Sequence, residues 1–279
     1  MLGLSEQNYV VCPKCNALNP LTANYCANCG LQLQSRPPLY PPSTQARVVG
    51  GAFSKENLLQ AFSTRRVKLM IIGFIIELAL FLAFSALPMS QAQYQAIVNS
   101  PSYKQINMVR AEGLISRAVS IFQNNYFLAS LEMVPALGPA IFTYTTYSTA
   151  RVLDALGYGS GVPGPLLFVN IILFPHSWLE LPAYAISATQ SVILVYSWVK
   201  KRFFQELART IIVWLFVGLE LFVAAVIESS IITLESYGIL QPLLMWIPTL
   251  VIFYIAYTLL KRLNKPQNPL SYQSANTAV

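Results

Sequence analysis

Apolar runs long enough to cross a membrane begin at Val67 and recur to Leu260, whereas residues 1–66 mix polar and apolar positions as soluble segments do. Leu69–Leu87 has one ionisable side chain, Glu77, and follows Arg65, Arg66 and Lys68. As a helix, a run of that length crosses a hydrocarbon core of about 30 Å. Tyr126–Ala150, interrupted by Pro135 and Gly138-Pro139, predicts a second span, and Trp178–Val199, ending at Lys200-Lys201-Arg202, a third. Thr210–Leu234 and Leu240–Leu260 complete the set. A shorter apolar piece, Leu166–Phe174, is framed by Pro163, Pro165 and Pro175.

The basic residues at the ends of these runs set an orientation, because cytoplasmic loops collect Lys and Arg. Arg65, Arg66 and Lys68 place the N-terminus inside. Lys200, Lys201, Arg202 and Arg209 place the middle loop inside, and Lys261, Arg262 and Lys265 do the same for the C-terminus. Glu235–Ile239 has neither Lys nor Arg and fits outside. Five crossings cannot leave both ends on one side, so Leu166–Phe174 is expected to supply a return pass, as a broken helix or a protein-buried re-entrant stretch. The expected fold is an all-α polytopic membrane bundle, with five full transmembrane helices plus one short broken or re-entrant pass. It is expected in the cell membrane with both termini cytoplasmic. Residues 89–123 are too polar to cross. Met108, Ile115, Val119 and Phe122 stand at helix-face spacing there, which predicts an outside amphipathic helix on the bilayer or over the bundle.

The N-terminal part carries different chemistry. The only four cysteines form two knuckles, Cys12-Pro-Lys-Cys15 and Cys26-Ala-Asn-Cys29, with Gly30 placed for a tight turn. Each knuckle presents two thiolates to one ion, so together they complete a tetrahedral zinc site. About thirty residues cannot bury enough core to fold alone, so the metal supplies the folding energy. Two disulfides are the alternative, disfavoured by the expected placement in a reducing cytoplasm. The resulting division is a zinc ribbon at 1–34 and a Pro/Gly-rich linker and membrane-proximal segment at 35–66. A transmembrane bundle follows at 67–262, then a cytoplasmic tail at 263–279. No cleavable signal peptide is expected ahead of so late a first apolar run. The linker holds Pro37, Pro38, Pro41, Pro42 and Gly50-Gly51, a semi-rigid spacer with a swivel.

Composition changes this picture little. Charged residues make up 10% of the chain, well below a soluble average of about a quarter. The net charge of +7 gathers at span ends and forms no stripe, so nucleic acid is not the expected partner. Several ionisable groups nonetheless lie inside the apolar runs: Glu77, Glu132, Glu180, Glu220, Glu228 and the sole histidine, His176. Each costs about 2.5–3.5 kcal/mol at bilayer centre on insertion scales, so each calls for a reason. A helix opening at Pro175 puts His176 and Glu180 one turn apart. That pair can tie helices together, relay a proton or substrate with Glu228, or hold a metal. One histidine falls short of His-Glu-x-x-His, and no phosphate loop or nucleophile elbow occurs, so an enzyme is not expected. Leu131-Glu132-Met133-Val134-Pro135-Ala136 echoes Leu179-Glu180-Leu181-Pro182-Ala183, a pairing of broken helices that in transporters points to a midplane site.

Asn124-Asn125 opening a span, then Phe174-Pro175-His176 with Leu179-Glu180-Leu181-Pro182-Ala183, then Val226-Ile227-Glu228, resembles the stage II sporulation protein M family of integral membrane proteins. The likeness covers about Val67 to Lys261. The chain departs from the family at Ser177, where a glycine is usual, and over Tyr184–Trp198, where a glycine-rich helix is usual. The resemblance implies a non-enzymatic protein that anchors or organises an envelope or membrane-remodelling complex; the zinc ribbon, an addition outside the likeness, is expected to serve protein interaction. Its partners would be membrane or envelope proteins, a cytosolic protein at the ribbon, or further copies of the chain. The alternative is a transporter or flippase-like permease using an intramembrane site of His176, Glu180, Glu228 and Glu132.

Overall fold

The computed structural model describes residues 9–20, 23–33, 55–238 and 240–263. The prolines and glycines of the expected linker, Ile239, Lys265 and the tail beyond Leu263 lie outside the described residues. The chain divides into two compact units, Met1–Gly51 and Ala52–Val279.

In the first unit, β1 (Tyr9–Val11) pairs antiparallel with β2 (Leu18–Pro20), Tyr9 opposite Pro20 and Val11 opposite Leu18. A single bridge, Tyr25 to Gln32, plays the same part in the second half. Each pairing closes over a Cys-x-x-Cys turn. The Cys12 N–H donates to Ala17 O at 2.9 Å and the Asn16 N–H to Cys12 O at 2.9 Å. Cys26 donates to Leu31 O at 2.7 Å and Gly30 to Cys26 O at 2.9 Å, repeating the pattern at the same spacing. Both turns need a left-handed residue, Asn16 at φ 55° and Gly30 at φ 70°. Asparagine and glycine are the residues that adopt it at least cost.

The second unit is helical. It runs through α1 (Lys55–Ala61), α2 (Thr64–Ser85), α3 (Gln91–Val98), α4 (Pro101–Ala111) and α5 (Leu114–Glu132). Then follow α6 (Gly138–Tyr158), α7 (Gly164–Ile172), α8 (Ser177–Val199), α9 (Phe203–Leu234) and α10 (Trp246–Leu263). Two short 3-10 turns, Glu235–Tyr237 and Gln241–Met245, join the last two helices. Helix thus begins at Lys55, inside the segment read as membrane-proximal from sequence.

Among the described residues three helical stretches are long and apolar enough to cross a membrane: Asn57–Ser85, Phe203–Tyr237 and Gln241–Leu259. A fourth is gained if α7 and α8, bent by 101° at their junction, form one span. The expected five full spans are therefore revised. Tyr126–Ala150 is the end of α5, a reversal, and the start of α6. Ala136 turns the chain there at φ 68°, and Pro135 lacks the N–H that a continuing helix needs. Leu166–Phe174 forms most of α7, the first arm of the bent pair, which is either a broken span or a re-entrant stretch. The sharp bend falls before α8, and that helix runs on through Pro182.

Residues 89–123 also differ from expectation. They make α3, α4 and the first half of α5, with Ser90 and Ser100 as the N-caps that open α3 and α4 and a break at Glu112-Gly113 before α5. Met108, Ile115 and Val119 are exposed, while Phe122 stacks on Tyr126 and meets Phe222 edge-on. The break separates Met108 from the other three, so no single apolar face forms.

Helix α2 shows how the bundle is built. It buries Met70, Glu77, Phe81 and Ser85 on one stripe and exposes Leu69, Ile71, Ile72, Ile75 and Ile76. A polar-bearing buried stripe beneath an aliphatic outer face is the reverse of a water-soluble helix. Close approach is made by small residues. Gly73 faces Ala185 and Thr189, where an added Cβ would lie 2.7 Å from Thr189 Oγ1. Helix α8 supplies the other side with buried Ala183, Ala185, Ser187, Ala188 and Ser191, so alanine and serine do the work of its missing glycines.

Side-chain bonds fix which helix ends meet. Ser229 Oγ donates to Leu114 O at 2.7 Å and Arg117 Nη2 to Thr233 Oγ1 at 3.1 Å, joining the start of α5 to the end of α9. Arg151 reaches from α6 to Leu87 O and Pro88 O at 2.7 and 3.2 Å, beyond the end of α2. Ser191 Oγ of α8 donates to Val134 O at 2.7 Å in the α5–α6 reversal. Glu206 accepts from Arg66 and Arg209, which ties the first turns of α2 and α9 together.

Candidate functional site

Two donor clusters stand out, one in each unit. In the first, the sulfurs of Cys12, Cys15, Cys26 and Cys29 lie within 4.8 Å of one another. Cys12 and Cys29 are 3.6 Å apart and Cys15 and Cys26 3.5 Å, far beyond a disulfide bond of about 2.0 Å. Metal–sulfur bonds of about 2.3 Å in a tetrahedron put sulfurs about 3.8 Å apart, so this set fits one ion. Asn19, almost fully buried, braces it: its Nδ2 donates to Cys26 Sγ at 3.5 Å and its Oδ1 accepts the Ala27 N–H at 2.9 Å. The Ala17 backbone N–H holds the Cys15 thiol below its ordinary value. Burial opposes ionisation of Cys26, but the Cys29 and Asn28 N–H groups outweigh it and bring it to about 6. Asn19 and Asn16 were not singled out in the sequence; the repeated turn chemistry around the two knuckles is the signal that marks Asn16.

The second cluster lies inside the helical unit. A ring nitrogen of His176 and one carboxylate oxygen each of Glu180 and Glu228 lie within 4.8 Å of one another. His176 sits at the cap of α8, one turn before Glu180, because the α7–α8 bend leaves the chain just ahead of Ser177. Helix α9 brings Glu228 from the opposite direction. Glu180 Oε1 accepts from Asn125 Nδ2 at 2.9 Å and from the Tyr184 hydroxyl at 3.1 Å.

Glu132 is not in this cluster but belongs to the same acidic interior. It is fully buried at the end of α5, where Thr145 Oγ1 donates to its Oε1 at 2.7 Å. Glu77, equally buried on α2, lies within electrostatic range of both Glu132 and Glu180. Glu228 in turn feels Glu180 on one side and Arg110, Arg117 and Glu235 on the other. Glu132, Glu77, Glu180 and Glu228 are thus linked by electrostatic contact into one acidic set drawn from α5, α2, α8 and α9. Glu77 Oε2 and Glu132 Oε2 are buried with no hydrogen-bond partner among the described residues. Among the described residues none of the four carboxylates forms an ion pair.

The expected echo between Glu132 and Glu180 takes an asymmetric form: Glu132 closes a helix and Glu180 opens one. Tyr184 and Thr145 went unnoticed in the sequence. The signal for Tyr184 was its place one helical turn after Glu180; no local signal marks Thr145, which reaches Glu132 across the reversal. No protein-family model matches the chain, and no curated protein or solved structure matches it either.

Proposed function

We propose that the chain is a membrane permease in which the buried carboxylates pass protons or a small cation between the two faces. The observation behind this reading is the linked set of Glu132, Glu77, Glu180 and Glu228, none of which forms an ion pair among the described residues; the reading takes them as a line through the bundle. Bonds from Thr145 and Asn125 let Glu132 and Glu180 tie helices together, but Glu77 and Glu228 accept no hydrogen bond and form no ion pair among the described residues, so anchoring alone leaves them unexplained. A relay needs groups that exchange a proton or a cation without a fixed partner.

The topology in this reading has six crossings: α2, α5, α6, the α7–α8 pair, α9 and α10. Helices α5 and α6 join the set although less apolar, since Arg117, Asn125 and Glu132 of the one and Arg151 and Asp154 of the other are buried, and at about 1.5 Å per residue each reaches most of the way across. An even number returns both ends to the same side, and the basic residues Arg66, Arg209 and Lys200-Lys201-Arg202 support taking that side as cytoplasmic. The cysteine unit is a zinc ribbon in this reading, and its separate compactness suits it to contact a cytosolic partner. The likeness to the stage II sporulation protein M family adds an organiser role, with zinc-ribbon contacts and membrane partners assembled around the bundle.

The test is flux. Full-length protein in liposomes, loaded with a pH-sensitive dye and given a proton gradient, is expected to dissipate it. Glu180→Gln should slow the dissipation at least tenfold while the protein still elutes as one folded species. Wild-type liposomes no leakier than empty ones would remove the permease reading and leave the organiser.

A further inference from the structure

The His176 cluster has three features that a hydrogen-bond network does not explain. The first is at Glu180. Both donors, Asn125 and Tyr184, bond the same oxygen, Oε1, so Oε2 is left without a donor among the described residues. The second is Glu228, which accepts no hydrogen bond and forms no ion pair among the described residues although its carboxylate stands against His176 and Glu180.

The third is the imidazole itself. Ser177 Oγ commits its only proton to Ile171 O at 2.9 Å. Its contact with His176 Nε2, at 3.5 Å the weak limit of a hydrogen bond, is then made with the ring N–H donating. That tautomer leaves Nδ1 with a bare lone pair, and Nδ1 is shielded from solvent with no partner among the described residues. A buried, unprotonated ring nitrogen whose other nitrogen is oriented by a hydrogen bond is how histidine meets a metal.

We propose that His176, Glu180 and Glu228 bind one divalent transition-metal ion. Two carboxylates and a neutral imidazole balance a doubly charged ion, which removes the burden of uncompensated negative charge in an apolar interior. Bonds of about 2.0–2.2 Å set ligand atoms about 3.5 Å apart around a tetrahedral ion. The three donors lie within 4.8 Å of one another, so side-chain rotations of about an ångström close the site. One nitrogen and two oxygens suit zinc, manganese or ferrous iron. Three protein ligands leave a position open for water or for exchange. Asn125 and Tyr184 act as positioning residues, since each holds the Glu180 carboxylate by its other oxygen.

The inference rests on reading these residues as the ligand site of the proposed permease, with the ion as its cargo or its cofactor. It stands or falls by a separate measurement. Full-length protein purified in mild detergent is equilibrated with Zn²⁺, freed of excess, and its metal counted by elemental analysis. Wild type is expected to hold two ions per chain, one at the cysteines and one here. Glu228→Gln and His176→Gln should each fall to one, while Glu220→Gln, a buried glutamate outside the cluster, keeps two. Mn²⁺, which thiolate sites bind poorly, gives a second readout on unaltered protein: a bound-ion EPR signal that Zn²⁺ displaces. One ion per wild-type chain, or no bound Mn²⁺ signal, overturns the proposal. Two ions with no flux would keep the metal site and remove the permease; flux with one ion would do the reverse.

Discussion

At Gly138 the bundle tolerates no side chain at all. A Cβ there would collide with the backbone carbonyl of Glu132 and lie 2.6 Å from Ser191 Cβ. This is the point where α6 leaves the reversal and where α8 bonds back to Val134 O, so the strain cannot be shed into an open loop. Gly138→Ala is expected to destabilise the bundle by about 1–3 kcal/mol, the usual range for overpacking. Gly113→Ala, whose nearest contact would be Ser116 Oγ at 3.9 Å, should leave the thermal midpoint unchanged. Equal midpoints for the two variants would mean that the reversal is not packed as described. At this scale the sequence was partly legible. The spacing of His176 and Glu180 by one turn was readable because it is local. The Asn125–Glu180 and Thr145–Glu132 bonds were not, since each joins separate helices and depends on how the bundle packs.

Among elements, the cysteine unit was the most legible, because two knuckles at metal-ligand spacing constrain a short chain more than any propensity does. Its two strands are three residues each, and little apolar area is buried around them. Its folding is expected to depend on the ion, which contributes about 10–16 kcal/mol in zinc-finger peptides. In hydrogen-exchange measurements on the full chain, a strong chelator or Cys26→Ser should strip amide protection from residues 9–33. The protection of α8 and α9 should persist. Retained protection at Cys12 and Cys26 without metal would contradict the assignment. Helices α5 and α6 were the least legible elements. Arg117, Asn125 and Glu132 in the one, and Arg151 and Asp154 in the other, lower the apolar signal, yet all five are buried against neighbouring helices. Mean hydropathy cannot tell a polar side chain that faces protein from one that faces water. The bend before α8 was half legible: the prolines announced a break, but not that α7 and α8 would act as one bent pair.

For the whole molecule, the parity argument from basic ends predicts both termini on one side, and the six-crossing topology proposed above keeps that prediction. The sequence reached an even number by making Leu166–Phe174 a return pass. The proposed topology reaches it by letting α5 and α6, between which Tyr126–Ala150 is divided, cross separately. What the packed bundle adds is the line of carboxylates, drawn from α2, α5, α8 and α9, which no linear reading can align. The central claim is that this line conducts, and it is tested most directly by current. Full-length protein reconstituted on a solid-supported membrane is given a pH step, and the displaced charge is recorded. Wild type and Glu220→Gln should give a transient current. Glu132→Gln and Glu180→Gln, at opposite stretches of the line, should each abolish it while leaving the thermal midpoint within reach of wild type. A wild-type trace identical to that of the bare membrane, or full currents in both line variants, would contradict the account.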